Sequence, residues 1–181
     1  MLYAVGLNFN LATDNLILNI WKQLAETGLA DYLQISGNHP HITLGIFEDL
    51  DVEKTKLELE LFTKSLAPFP LSFQQIGIFP SPKVAVFWGP VVTDKLLKLH
   101  SNLYKQLSKF GSQPDFDFYK PGHWIPHCAL AMEIEDDSKV LGIIDVCRSL
   151  PNPHDVMIEE IGFISIRPIL PIVIYPLLGM S

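Results

Sequence analysis

Apolar and polar positions change period along the chain, and those changes mark out strands and helices. Residues 2–10 alternate roughly and read as a strand. Leu16, Ile17, Ile20, Trp21 and Leu24 then recur at helical spacing, with Thr13 or Asp14 placed to cap the helix and Gly28 to end it. The turn Ser36-Gly37-Asn38 leads into a strand over residues 42–47. Residues 51–66 satisfy two patterns. Leu57, Leu59 and Leu61 alternate with glutamates as in a strand, while Leu57, Leu61, Phe62 and Leu66 form one face of a helix. The length of the segment and its scarcity of β-branched residues favour helix. Two strands, 71–79 and 83–88, flank the turn Pro80-Ser81-Pro82. A helix over 94–110 turns Leu96, Leu97, Leu103 and Leu107 inward and stops at Gly111. After a loop or irregular strand at 112–122 come a strand at 125–134 and a helix at 137–150. Val140, Leu141, Ile144 and Cys147 form that helix's inner face, and strands at 156–166 and 172–175 close the series.

The order repeats itself. Thr13-Asp14-Asn15-Leu16 has a counterpart in Thr93-Asp94-Lys95-Leu96, and Gln75-Ile76-Gly77-Ile78 in Glu160-Ile161-Gly162-Phe163. Pro40-His41-Ile42-Thr43-Leu44 has one in Pro126-His127-Cys128-Ala129-Leu130. Three matches in one order point to duplication. Each half, about 1–82 and about 83–181, reads strand, helix, histidine-strand, helix, strand. The expected fold is α+β and bilobal: one domain over 1–181, two antiparallel-rich sheets around a central cleft, and helices outside.

Composition narrows the function. With 48% hydrophobic residues in 181, the chain can bury a sizeable core. A net charge of −7 argues against an extended nucleic-acid surface, which needs a basic face, but leaves room for a small phosphate ester in a local cleft. Two cysteines, Cys128 and Cys147, make no disulfide framework and no zinc-finger spacing, so the cytoplasm is the expected location. The N-terminus lacks a basic n-region, and the apolar run 169–180 is too short and too proline-broken to span a bilayer. No signal peptide or membrane partner is expected, and the protein should be a monomer.

The repeated histidines carry the chemistry. Alternation along a strand puts His41 and Thr43 on one face and Ile42 and Leu44 on the other. In the second half His127 and Ala129 share a face, opposite Cys128 and Leu130. Imidazole titrates near neutrality, so two of them across one cleft can serve as base and acid. A phosphodiester needs both, because the attacking and departing oxygens lie roughly in line on opposite sides of phosphorus. Thr43 is placed to donate to a non-bridging phosphate oxygen.

His41-Ile42-Thr43-Leu44, with its flanking Gly45-Ile46-Phe47, and the second strand at His127 resemble the 2H phosphoesterase superfamily. That group includes bacterial 2′-5′ RNA ligase-like proteins and 2′,3′-cyclic nucleotide phosphodiesterases. The resemblance implies a bilobal α+β fold, no cofactor or metal, and His41, Thr43 and His127 in the site. It implies a small nucleotide or an RNA end, bearing a 2′,3′-cyclic or 2′-5′ phosphodiester, as substrate. The second motif has Ala129 where the family usually has Thr or Ser, one hydroxyl donor fewer.

Further candidates flank the motifs. Phe116, Phe118 or Tyr119 could stack on a base, Lys120 could meet a phosphate, and Trp124 could line the cleft or join the core. His100 reads as structural and His154 as solvated in a proline-rich turn. Two rival functions stay open. One is a binding module that keeps the cleft without turnover. The other is a metal-dependent hydrolase that clusters His39, His41, His123 and His127.

Overall fold

The computed structural model describes residues 1–112, 114–115, 118–151 and 154–179. Strand β1 (Leu2–Phe9) runs into helix α1 (Leu11–Glu26). The cap is Asn10, whose side chain accepts from the Thr13 amide at 3.0 Å, and not Thr13 or Asp14. Those two lie in the first turn and are buried with Ile17, Ile20, Trp21 and Leu24. A one-turn helix, α2 (Tyr32–Ile35), precedes strand β2 (His41–Glu48).

The ambiguous segment is helix α3 (Val52–Lys64), but its buried face is Thr55, Leu59 and Thr63, and Leu57 and Leu61 face solvent. Three alternating leucines cannot share one helical face. The buried face puts Leu59 between two threonines. Strands β3 (Phe69–Phe79) and β4 (Val84–Pro90) lead to helix α4 (Asp94–Leu107), capped by Thr93. Helix α4 buries Leu96, Leu99, His100, Leu103, Tyr104 and Leu107; Leu97 points outward, against the expected face. Strand β5 (Cys128–Ile134) is followed by a 3₁₀ turn (Asp137–Lys139) and helix α5 (Val140–Cys147). Ile143 and Cys147 are buried, and Leu141 is 75% exposed, against the expected inner face.

Strands β6 (His154–Ile166) and β7 (Leu170–Pro176) complete one seven-stranded antiparallel sheet, ordered β2-β1-β6-β3-β4-β5 with β7 also on β6. This corrects the expectation of two sheets. The 13 residues of β6 are long enough to pair with β1 along Leu2–Phe9, with β7, and with β3 along Phe69–Phe73. The strand order is unchanged when β1, β2 and β3 are exchanged with β4, β5 and β6. One buried cluster runs through both halves, from Val5 and Ile42 to Leu130 and Phe163. His154 is not in a solvated turn: it starts β6, half-buried and stacked on Trp88 at 5.7 Å.

Candidate active site

The pleat of β2 buries Ile42 and Leu44 and leaves His41 and Thr43 on the accessible face. His41 Nδ1 donates to the His39 carbonyl at 2.6 Å. A carbonyl only accepts, so the proton of the neutral ring sits on Nδ1, and Nε2 is left as an acceptor. Thr43 Oγ1, 3.1 Å away, donates to that Nε2. The Tyr119 hydroxyl lies beside Thr43, and burial pushes its pKa up. Gly6, across from Thr43 on β1, makes room for the ring, because a Cβ there would stand 3.0 Å from His41 Cδ2.

His127 precedes β5 by one residue, and its Nδ1 donates to the Ile125 carbonyl at 2.7 Å. The tether is that of His41: the carbonyl two residues back holds Nδ1 and frees Nε2. The surroundings differ. The ring meets Phe79 edge-on, with centroids 4.8 Å apart, and lies 5.5 Å from Phe87. Phe87 pairs across the strands with Ala129 and covers Gly77, where a Cβ would come within 2.2 Å of its ring. Trp21 of α1 donates to the Ala129 carbonyl at 3.1 Å. Burial pushes both histidines below the ordinary imidazole range, and His41 is also lowered by the charge of His127.

His41, Thr43, His127, Ala129 and Tyr119 line one cavity of about 540 Å³. A second groove of about 790 Å³ shares His127, Ala129 and Tyr119 and is walled by Phe79, Phe87, Phe118 and Ile125. Phe118 is 72% exposed on that groove. Trp124 does not line either cavity. It is 7% exposed, stacks on His100 at 4.0 Å with rings nearly parallel, and donates to the Thr43 carbonyl at 2.9 Å. An indole N–H in the core needs an acceptor, and the histidine-strand supplies one. His100 donates in turn to the Tyr119 carbonyl at 3.0 Å, so α4 braces both the loop and β2. Lys120 lies outside both cavity walls, and Phe116 lies outside the described residues.

The four-histidine metal cluster does not form. His39 bonds Asp14, His123 sits on the apolar groove, and no group of three or more potential ligands comes together among the described residues. The cleft instead has two features that sequence reasoning missed. Arg167 lines it from the β6–β7 turn, and His39, also on its wall, is paired with Asp14. A signal for Asp14 was present: it falls on the apolar face of α1, three residues before Ile17 and seven before Trp21.

Two imidazoles with Nδ1 tied back to the carbonyl two residues before line one cavity of an antiparallel α+β scaffold. Residues 18–167 match the model of the 2′-5′ RNA ligase superfamily, and the chain belongs to that superfamily. It is 31% identical over 102 residues to an RNA 2′,3′-cyclic phosphodiesterase of Archaeoglobus fulgidus, a match that covers 55% of this chain and 57% of that protein. Among solved structures, a protein of Thermus thermophilus is covered in full, as is this chain, with a TM-score of 0.62 at 15% identity. Escherichia coli LigT in its apo form gives 0.60 at 15% identity over 97% of this chain and 96% of its own. At that identity the likeness establishes the fold.

Proposed function

We propose that this protein is a metal-independent phosphoesterase that opens 2′,3′-cyclic or 2′-5′ phosphodiesters of small nucleotides or RNA ends. The observation that carries the reading is the pair of tethered imidazoles on one cavity. The superfamily match and the cyclic phosphodiesterase relative support it. Crystal structures of E. coli LigT are complexes with 3′-AMP, ATP, NADP+ and phosphate, and a small phosphate-bearing ligand is what the reading assigns to this cleft.

In this reading one histidine, neutral, takes a proton from water through Nε2 as the water oxygen bonds to phosphorus. The other, protonated, gives its Nε2 proton to the departing ribose oxygen as the P–O bond breaks, leaving a phosphomonoester. When His41 carries a proton on Nε2, Thr43 can accept from it and from Tyr119, and turn its own hydroxyl proton toward a phosphate oxygen. Both cysteines are free and buried, and no helix of the described residues is long and apolar enough to cross a membrane. We place the protein in the cytoplasm as a monomer.

The test is hydrolysis of 2′,3′-cyclic AMP and of an oligoribonucleotide ending in a 2′,3′-cyclic phosphate, with and without chelator. A phosphomonoester product formed equally in both is expected. Loss in chelator, restored by zinc or manganese, would overturn the metal-independent assignment. A second reading, a binding module for nucleotides or RNA ends, draws on Ala129, which leaves the His127 side without a hydroxyl. Tight binding with no product would favour it.

A further inference from the structure

His39 lies two residues before His41, in the same cavity. Its Nε2 is 3.2 Å from Asp14 Oδ2, and its Nδ1 is 3.1 Å from the Pro40 carbonyl oxygen. Both partners are acceptors only. A neutral imidazole has one N–H and can satisfy one of them, whereas the imidazolium satisfies both. Asp14 is 7% exposed in the first turn of α1, and its other oxygen, Oδ1, is buried with no hydrogen-bond partner among the described residues. A carboxylate so enclosed needs a counter-charge, and His39 stands where one is required. The backbone of His39 is in turn the anchor of His41, through the 2.6 Å bond from Nδ1 to its carbonyl. Ring and carbonyl of one residue thus join Asp14 to His41. In the second half the corresponding place is held by Ile125, an exposed apolar residue with no charge to pair.

We propose that Asp14 and His39 are positioning residues for His41: the ion pair fixes the backbone at 39–40, and so fixes the tautomer and direction of the His41 ring. This rests on the acid–base reading of His41 given above. The pair is at full strength only while His39 is protonated. The charged or titratable groups facing it are Asp14 of α1, Glu160 of β6 and His41 itself, with the Cys128 thiol of β5 near Asp14. Asp14, the strongest influence, holds the His39 pKa above the ordinary imidazole range. The support is therefore present below that range and is lost as pH rises through the raised value. Above it, kcat/KM should fall more steeply with pH than loss of a single proton explains.

The experiment combines histidine-selective ¹⁵N NMR with steady-state kinetics on the full chain. In the wild type, His39 should titrate above 6.5, and neutral His41 should be a single Nδ1–H tautomer. Asp14→Asn should lower the His39 titration and give His41 mixed tautomers. It should reduce kcat between about 3- and 100-fold, the range for a misplaced catalytic group, with KM within about twofold. His39→Gln keeps an amide donor for Asp14 but no charge, and should return the alkaline limb of kcat/KM to a one-proton slope. Adding Asp14→Asn to His39→Gln should cost little more. The NMR measurement needs no variant and no turnover, so it judges the clamp apart from the proposed reaction. A neutral His39 at pH 6.5 overturns the proposal. So does a pH profile that neither variant alters while His41 keeps one tautomer.

Discussion

The two histidine-strands hold their imidazoles alike and surround them differently. Each ring gives its Nδ1 proton to the carbonyl two residues back, at 2.6 Å for His41 and 2.7 Å for His127. Beside His41 the facing pair on β1 and β2 is Gly6 and Thr43, open and hydroxylated. Beside His127 the facing pair on β4 and β5 is Phe87 and Ala129, filled and apolar. Phe79 adds an edge contact, and the apolar groove continues from there. In the proposed reaction both rings move a proton through Nε2, and both carry the same tether. What lies beside each ring is free to differ, and in this chain the first half offers polar contacts while the second offers aromatic surface.

The largest effect should come from the shared element. His41→Ala and His127→Ala should each lower turnover of a 2′,3′-cyclic nucleotide by at least about 100-fold. Near-wild-type kinetics in one of them would mean that the halves differ in chemistry as well as in surroundings. Next comes Gly6→Val, which crowds His41 directly and should cost at least about 10-fold. Phe87→Leu, at the matching place in the second half, should change turnover less than threefold; equal losses would dissolve the distinction. Ala129→Thr would give the second half the hydroxyl it lacks. A several-fold gain is expected, within the range of one hydrogen bond to a charged group. No gain in a variant of unchanged stability would show that the aromatic side needs no donor.

The smallest effect is a shift in pH. The base must be neutral, so activity rises with pH through the lower pKa. The acid must be protonated, so activity falls through the upper one. Burial lowers both imidazoles from 6.5, and the maximum of kcat/KM should lie below that pH. A maximum above 7 would mean that one of the two residues is not a partner in the titration.

Much of this was legible in the sequence, for reasons that also explain the misses. Side chains on a strand alternate strictly, so the shared face of His41 and Thr43 could be read from spacing alone. Helical faces are less certain when apolar residues are spread around the axis. The exposed Leu57, Leu97 and Leu141 were all misplaced this way. Trp124 could have faced the cleft or the core, and the Thr43 carbonyl that receives its N–H was invisible without the fold. His39 and Asp14 lie far apart along the chain, and nothing local indicates that α1 brings them together. Likewise 156–166 was readable as a strand, but not as the partner of β1, β3 and β7 at once.

That central strand bears on how the molecule comes into being. Residue 2 pairs with residue 166, and β6 links β2-β1 to β3-β4-β5 in the strand order. A chain emerging from the ribosome carries both motif histidines before it carries this strand. Until β6 arrives, β1 and β3 each present an unpaired edge, the kind of surface on which chains join one another. Contacts between opposite ends of a chain close slowly, because a long loop must be ordered before they form. The last third of synthesis is therefore when this protein is most exposed to misassembly, and a product truncated before His154 would keep both motif histidines yet lack the strand that joins their halves.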